Sequence, residues 1–209
     1  MQAVAPDSAP RHVAIIGTAG RDRARRNDAA MWQAMVDDVR ARVQPTDILV
    51  SGGAALSDHL AVTCFLNGWV SGLRLYLPAP LRDGAFVEVS RSRCSGSVAN
   101  YYHRLFREAA GVDGLAELCE AAARGAVAYQ HPAAAGFTGM FARNKLVARD
   151  ATSALAYTWG GAEPQDGGTR MTWDAMGAIP KVHVSLVDLA SQIEAQACDE
   201  RPRTASPAP

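Results

Sequence analysis

The sequence is almost without lysine. Its basic residues are arginines apart from Lys145 and Lys181, and they balance the acidic residues to give a formal net charge of zero. A chain without excess charge has no overall field that would attract nucleic acid or an anionic membrane. Genomic base composition accounts for a preference for arginine that accompanies abundant alanine. The functional alternative is that a guanidinium binds phosphate or carboxylate through two parallel hydrogen bonds.

Cysteine is scarce as well. The four cysteines (Cys64, Cys94, Cys119 and Cys198) are widely spaced, with no C-x-x-C pair and no histidine at a metal-ligand offset. This pattern disfavours a zinc site and a disulfide framework. Free thiols are typical of a reducing compartment. We therefore expect a cytoplasmic protein with no metal and no other cofactor.

Long apolar runs are missing too. No run approaches the roughly 20 residues that span a bilayer, and residues 1–10 lack the basic and apolar regions of a secretory signal. Residues 1–10 and 199–209 are rich in proline, alanine and charge, so we expect two disordered tails. Residues 11–198 are then expected to form a single domain, for which a composition that is 48% hydrophobic supplies an ample core.

Strand-like and helix-like segments alternate along this domain. Short apolar runs predict five buried strands, at 12–17, 47–51, 72–77, 153–158 and 181–186. Helical spacing of apolar residues predicts helices at 28–43, 57–68, 138–149, 169–178 and 187–197. This order predicts the α/β class, with a doubly wound parallel sheet of about five or more strands. The segment 79–138, with helices predicted at 97–109 and 113–124, is interpreted as a partly helical insert.

Glycine-containing turns follow two of the predicted strands. The first is Gly17-Thr18-Ala19-Gly20-Arg21, and the second is Ser51-Gly52-Gly53-Ala54. Such a turn exposes backbone N–H groups at the start of a helix, where a phosphate binds well. Both turns lie at the carboxyl ends of strands, so they predict a nucleotide-like ligand there. Arg21 is the arginine best placed to reach that ligand.

Two common nucleotide-binding motifs are absent. The first turn lacks G-x-G-x-x-G spacing, and no acidic residue ends the second strand to hold a ribose, which disfavours a dinucleotide-binding Rossmann protein. The chain also lacks G-x-x-x-x-G-K-[ST], which excludes P-loop hydrolysis of nucleoside triphosphates.

Further candidate residues lie on predicted helices. Asp58 stands in a first helical turn, where it favours the helix dipole, braces the loop or accepts hydrogen bonds from ligand hydroxyls. Arg143, followed by Asn144, either contacts phosphate or forms a surface salt bridge. A second anion cradle is predicted at the start of a helix, with a flexible loop and a threonine cap as the alternative. Its residues are Gly167, Gly168, Thr169 and Thr172.

An aromatic and basic cluster lies in the segment 79–138. Tyr101, Tyr102, His103 and Arg104 are consecutive. Aromatic rings and arginines stack on nucleotide bases, so the cluster is a candidate base clamp. The alternative is the face of an amphipathic helix.

Three of these elements, in this order, resemble the SLOG superfamily of Rossmann-like nucleotide-binding proteins. They are the S-G-G-A-x-x-x-D turn at 51–58, the Arg-Asn pair at 143–144, and the G-G-T at 167–169 before a helix. The superfamily includes the lonely guy phosphoribohydrolases and the DNA-processing protein A family. The resemblance covers 11–78 and 138–190, and it implies a nucleotide ligand.

The chain departs from the lonely guy enzymes at one decisive position. Their P-G-G-x-G-T-x-x-E motif places a glutamate where this chain has Thr172. Cleavage of an N-glycosidic bond needs a carboxylate. The candidate substitutes for this carboxylate are Asp166, Glu163 and Asp174, together with Glu88 and Asp83 of the middle segment. The catalytic residues are therefore unassigned.

Binding of a nucleotide or nucleotide-derived molecule, as a sensor or carrier, is the favoured function. A nucleoside-monophosphate N-glycosidase is the alternative, and a single-stranded DNA-binding protein is the third. Neutral net charge disfavours nucleic acid as a partner. Related proteins assemble through helices beside the sheet, so we expect a homodimer. The Arg143→Ala variant is expected to weaken ligand binding and to keep its fold.

Overall fold

A six-stranded sheet forms the centre of the molecule. The computed structural model describes residues 9–88, 95–130, 140–165 and 167–199. The strands are β1 (His12–Gly17), β2 (Ile48–Ser51), β3 (Gly72–Leu77), β6 (Val127–Gln130), β7 (Ser153–Thr158) and β8 (Lys181–Ser185). Their order is β6-β3-β2-β1-β7-β8, and every neighbouring pair is parallel. The doubly wound parallel α/β class is thus confirmed.

Helices connect the strands. They are α1 (Ala29–Arg42), α2 (Leu60–Leu66), α3 (Ser95–Ala110), α4 (Gly114–Ala123), α5 (Met140–Asp150), α6 (Gly167–Ala175) and α7 (Leu186–Asp199). A small hairpin pairs β4 (Leu81–Arg82) with β5 (Ala85–Phe86) between β3 and α3. No helix of the described ranges combines the length and the apolar character needed to cross a membrane.

The sheet buries apolar side chains on both faces. In β1, Val13 and Ile15 point to one face and Ala14 and Ile16 to the other, because side chains alternate along a strand. The first face packs against α1, α2, α3, α4 and α7, and the second packs against α5 and α6. A strand covered on both faces must be apolar throughout. This explains the continuous apolar runs of β1 and β2.

Helix α1 has a defined start and end. The Asp28 carboxylate accepts a hydrogen bond from the Met31 backbone N–H at 2.9 Å, which caps the N-terminus of the helix. Met31, Met35 and Val39 recur at helical spacing and are fully buried. The helix ends before Pro45, as the sequence predicts.

Strand β6 corrects part of the sequence interpretation. It lies inside the segment 79–138, yet it pairs with β3 and forms one edge of the sheet. Helix α4 packs beside α2 on the face of that sheet. The later part of the segment is therefore an ordinary helix-to-strand connection rather than a separate insert.

The helix predicted at 57–68 also differs from the structure. It begins as a four-residue 3-10 turn, Leu56–His59, and continues as α2 only to Leu66. Leu56 has a φ of 58°, a left-handed conformation that interrupts any regular helix before it. Of the two predicted tails, residues 1–8 and 200–209 lie outside the described residues, while Asp199 still belongs to α7.

Candidate functional site

A cavity of about 660 Å³ lies over the carboxyl ends of the strands. Gly17 at the end of β1, Gly52 after β2 and Thr158 at the end of β7 all line it. In the sheet, β2 and β3 lie on one side of β1, and β7 and β8 lie on its other side. Parallel α/β sheets bind ligands where the direction of winding reverses in this way. Most of the predicted site residues are brought together here.

The first turn supplies four lining residues. Gly17, Thr18, Ala19 and Arg21 line the cavity, whereas Gly20 lines a neighbouring cavity of about 460 Å³. The Thr18 backbone N–H donates to the Tyr157 carbonyl at 3.0 Å. The Gly20 N–H donates to the Thr18 hydroxyl at 3.2 Å. The prediction that Gly20 borders the same site is therefore corrected.

Gly17 is required by the protein's own packing. A Cβ atom at this position would lie 2.1 Å from the Tyr157 carbonyl oxygen and 2.5 Å from the Ser57 Cβ. Neither distance is tolerable between non-bonded atoms, and the nearer atom belongs to the backbone of β7. The close approach that the sequence predicts at this glycine is thus an approach between strand and turn.

The second turn supplies Gly52 and Asp58 to the cavity, but not Gly53. Gly53 has a φ of 65°, and a Cβ there would lie 2.4 Å from a Leu77 methyl carbon. Its carbonyl accepts a hydrogen bond from His103 Nε2 at 3.2 Å. Gly53 is therefore turned toward the core, which corrects the prediction that it faces the ligand.

Asp58 ties the two turns together. Its side chain is almost completely buried, with 7% of the residue exposed. Burial raises the pKa of the Asp58 carboxyl, and the charge of Arg143 and the amides of Ala54, Gly52 and Gly17 oppose that rise. The carboxylate thus accepts hydrogen bonds from backbone N–H groups of both glycine turns. Bracing of the loop is the role that the geometry shows.

The occupied amides change the picture of anion binding. N–H groups of the first two turns are directed to Asp58, to the Tyr157 carbonyl and to side-chain hydroxyls. The Ala19 and Arg21 amides of the first turn, in contrast, have no hydrogen-bond partner in the described structure. The groups that remain available to an anion are these two amides, the arginines and the start of α6, and contact between the turns and a ligand stays a prediction.

Arg143 is the most unusual of these groups. It projects from α5 into the cavity wall with only 6% of the residue exposed. One guanidinium N–H donates to the Gly52 carbonyl. Within the described part of the chain, its buried Nε has no hydrogen-bond partner. Burial lowers the pKa of the Arg143 guanidinium, while the Asp58 charge raises it.

The start of α6 forms the opposite wall. Gly167, Gly168, Thr169 and Thr172 all line the cavity. The Thr169 hydroxyl donates to the Gly17 carbonyl at 2.7 Å, and the Thr172 hydroxyl donates to the Gly168 carbonyl at 2.8 Å. Both side chains therefore brace the backbone in this structure. The first N–H groups of α6 lack partners within the helix and carry partial positive charge.

Asn144 connects α5 to this wall. Its side-chain amide lines the cavity and donates to the Gly168 carbonyl at 3.2 Å. A Cβ at Gly168 would lie 3.0 Å from the Asn144 amide nitrogen, so a larger residue would press on this contact. Asn144 thus positions the turn that opens α6.

The charges around the cavity favour an anion. Three arginines and two aspartates line it, which gives an excess of one positive charge. Arg25 pairs with Asp22 at 3.4 Å, and Arg143 lies beside Asp58. Arg21 has no carboxylate partner among the described residues, and its charge lowers the pKa of Arg143. Two guanidinium groups with one buried carboxylate therefore share this part of the cavity.

The aromatic cluster of α3 contributes one residue. Tyr102 lines the cavity beneath the Arg21 guanidinium, which lies 5.6 Å from the ring centroid. Its neighbours do not reach the cavity. Tyr101 accepts a hydrogen bond from Arg23 at 2.8 Å, His103 is buried against Gly53, and Arg104 pairs with Glu108 at 3.3 Å.

Trp159 is a lining residue that the sequence reasoning missed. It follows β7 directly, and Arg25 lies 5.4 Å from its ring centroid. Its position immediately after a buried strand, before Gly160, was the available signal.

The carboxylates considered as substitutes for the missing glutamate lie elsewhere. Glu163 and Asp174 both pair with Arg170, at 2.7 and 2.8 Å, and neither lines the cavity. Glu88 accepts hydrogen bonds at the start of α3, and Asp83 lies in the β4–β5 hairpin. Asp166 and Cys94 lie outside the described residues.

No group of three or more His, Cys, Asp or Glu side chains with the geometry of a metal site occurs in the described ranges. His59 is buried and contacts Glu117 at 2.8 Å, away from the cavity.

Comparisons with known proteins give one distant and one substantial likeness. No family model matches the chain. A structure of DNA processing protein A from Streptococcus pneumoniae aligns with 92% of this chain at 14% sequence identity and a TM-score of 0.39. The chain spans only 57% of that structure, and a likeness so distant carries no argument about function.

The second likeness is in sequence. Uncharacterized protein R261 of Acanthamoeba polyphaga mimivirus is 30% identical in an alignment of 183 positions, which covers 83% of this chain and 95% of the viral protein. Identity of this extent reflects a common fold and common ancestry, and the chain therefore belongs to the family of the mimivirus protein R261.

Proposed function

We propose that the chain binds a nucleotide or nucleotide-derived small molecule in the cavity, as a sensor or carrier. The observation that carries this proposal is the buried Arg143 with its unpartnered Nε. A buried N–H without an acceptor is costly, and a phosphate oxygen is an acceptor that a guanidinium binds strongly. The SLOG-like order of the three motifs agrees with this ligand class.

Phosphate would lie between Arg143, Arg21 and the first turn of α6. The arginines supply charge, and the unpaired N–H groups of the helix supply further donors. Asp58 offsets part of the buried charge of Arg143, which allows the site to persist without a ligand. One positive charge remains in excess at the cavity and favours the bound anion.

Binding without turnover is the form that the residues favour. Thr172 stands where a phosphoribohydrolase has its glutamate, and its hydroxyl is bonded to the Gly168 carbonyl. Glu163 and Asp174 are both engaged by Arg170. Cleavage of an N-glycosidic bond needs a carboxylate near the sugar.

Asp58 keeps the N-glycosidase as a second candidate. Its carboxyl lines the cavity, and burial raises its pKa, as is common for a general acid. The two candidates differ in a simple assay. Release of free base from a panel of nucleoside monophosphates would establish hydrolysis, whereas intact nucleotides together with measurable binding would establish a sensor or carrier.

Arg21 is the best residue for testing the phosphate contact. Arg143 is unsuitable, because its charge offsets that of the buried Asp58, and leaving a buried charge uncompensated costs about 3–5 kcal/mol. The expectation that Arg143→Ala keeps its fold is therefore revised. Arg21 is exposed, so its removal spares the core.

The experiment is isothermal titration calorimetry with nucleoside mono-, di- and triphosphates and ribose 5-phosphate. Arg21→Ala is expected to weaken binding about tenfold, the effect of one charge-assisted hydrogen bond. Arg104→Ala is the matched control, since Arg104 is an exposed arginine of α3 that does not line the cavity. Equal affinities of wild type and Arg21→Ala would contradict the proposed site. Binding of a single-stranded oligonucleotide alone, in a salt-dependent manner, would favour a DNA-binding protein instead.

A further inference from the structure

Trp159 presents an indole ring to the cavity. It stands at the carboxyl end of β7, is half-buried, and packs partly against the core. The Arg25 guanidinium lies 5.4 Å from its ring centroid. The guanidinium lies over one face of the ring, so no part of the core covers that face at this point.

Only weak interactions keep the Arg25 side chain over the Trp159 ring. Half of its side chain is exposed, and its only ion pair in the described ranges is with the equally exposed Asp22 at 3.4 Å. Exposed pairs of this kind contribute little to stability. A ligand can therefore displace Arg25 from the ring at small cost.

An arginine on a tryptophan is not by itself a binding site. Arg40 lies 4.9 Å from the ring centroid of Trp69, which is also half-buried, and neither residue lines either of the two cavities described above. Trp159 differs in two ways. It borders the same cavity as Arg143, and its indole N–H is buried with no partner among the described residues.

We propose that Trp159 is the residue on which the base of the bound nucleotide stacks, in the place that the Arg25 guanidinium takes in this structure. The phosphate of the same molecule is then held by Arg143 and Arg21. This inference rests on the proposed function and narrows its ligand to molecules with a planar heteroaromatic ring.

Calorimetry with two probes tests the stacking. The probes are the tightest-binding nucleotide of the panel and ribose 5-phosphate, which has no base. Trp159→Ala is expected to lower the affinity for the nucleotide about tenfold, the effect of one base–aromatic stack, and to leave the affinity for ribose 5-phosphate unchanged. Trp69→Ala is the matched control and should change neither affinity.

Fluorescence gives a readout that a purely structural role would not move. Stacking of a base is expected to quench the emission of Trp159. In Trp159→Phe the quench disappears while calorimetric binding of the nucleotide persists, because phenylalanine still offers a ring. In Trp69→Phe the quench stays.

The outcomes separate this inference from the proposed function. If the wild type binds neither nucleotides nor ribose 5-phosphate, the proposed function fails and this inference with it. If the wild type binds nucleotides and Trp159→Ala binds them equally well, the proposed function stands and the stacking role of Trp159 is refuted.

Discussion

At the residue scale, the glycines of the first two turns are explained by the protein itself. The sequence pattern predicts backbone exposed to a ligand, but Gly17 and Gly53 are where the turns approach β7 and Leu77. In the proposed site, the groups that face the ligand are mainly side chains, above all Arg143 and Arg21. A glycine turn read from sequence cannot distinguish these cases, since both need a residue without a Cβ.

Replacement of Gly17 by alanine is expected to destabilise the fold. The added Cβ would meet the Tyr157 carbonyl oxygen at 2.1 Å, and the backbone of β7 has little freedom to move. Overpacking of this kind costs about 1–3 kcal/mol or more. Urea denaturation of Gly17→Ala measures the loss in the free energy of unfolding.

Gly161→Ala is the matched control for this prediction. A Cβ at Gly161 would have no atom within 4 Å, so we expect a change within about 0.5 kcal/mol. Similar unfolding midpoints for Gly17→Ala and the wild type would contradict the packing argument.

At the scale of elements, most strands and helices were predictable and one strand was not. The predicted strands 12–17, 72–77 and 153–158 agree with β1, β3 and β7. The middle residues of β1 and β7 are buried in succession, whereas β3 alternates buried leucines with half-buried residues. Strand β6 was missed. It is a short edge strand of four residues with an exposed Val127, which leaves too little apolar pattern to detect.

The candidate site was predictable in part for a similar reason. Motifs adjacent in sequence, such as Gly167 to Thr169, were identifiable and do line the cavity. The partnership of Asp58 with Arg143 joins residues far apart in the chain, and the place of Trp159 depends on the fold of the loop that follows β7. Such relations follow from tertiary structure, which local patterns do not contain.

The cap of α1 can be tested at this scale. Asp28→Ala removes the acceptor for the Met31 N–H and is expected to lower the free energy of unfolding by about 1 kcal/mol. Asp37→Ala is the control within the same helix. Its carboxylate contacts only Gln33 at the exposed surface in the described structure, so a change within about 0.5 kcal/mol is expected. Equal losses for the two variants in urea denaturation would rule out a capping role for Asp28.

At the scale of the whole molecule, the cavity depends on segments from every part of the chain. The turns after β1 and β2 form one side of the cavity, α5 and α6 form the other side, and Tyr102 of α3 also lines it. A buried histidine, His103, supports this assembly by donating to the Gly53 carbonyl. The homodimer stays a prediction, and sedimentation velocity at micromolar concentration will decide it.

The global stability is expected to fall on mild acidification. Burial lowers the pKa of His103 from 6.5 to about 4, with a further contribution from His59. In the unfolded chain this histidine is protonated below about pH 6.5, whereas in the native protein it stays neutral until about pH 4. Because the unfolded state binds more protons between these two values, the free energy of unfolding decreases as the pH falls from 6.5 to 4. The shift corresponds to a loss of about 3 kcal/mol.

Urea denaturation at pH values across this window measures the effect. In His103→Gln, which keeps an N–H donor and cannot be protonated, the stability should depend less on pH by the contribution of one proton. A variant whose stability declines as steeply as that of the wild type would show that another group is responsible.

The position of β1 has a consequence for the synthesis of the chain. One of its neighbours, β2, leaves the ribosome soon after it, but the other, β7, lies about 140 residues later, as the partners Val13 and Ser153 show. Until then β1 has an unpaired edge, to which chaperones or other nascent strands can attach. The cavity, whose wall needs β7 and the start of α6, must accordingly form late in the maturation of each new molecule.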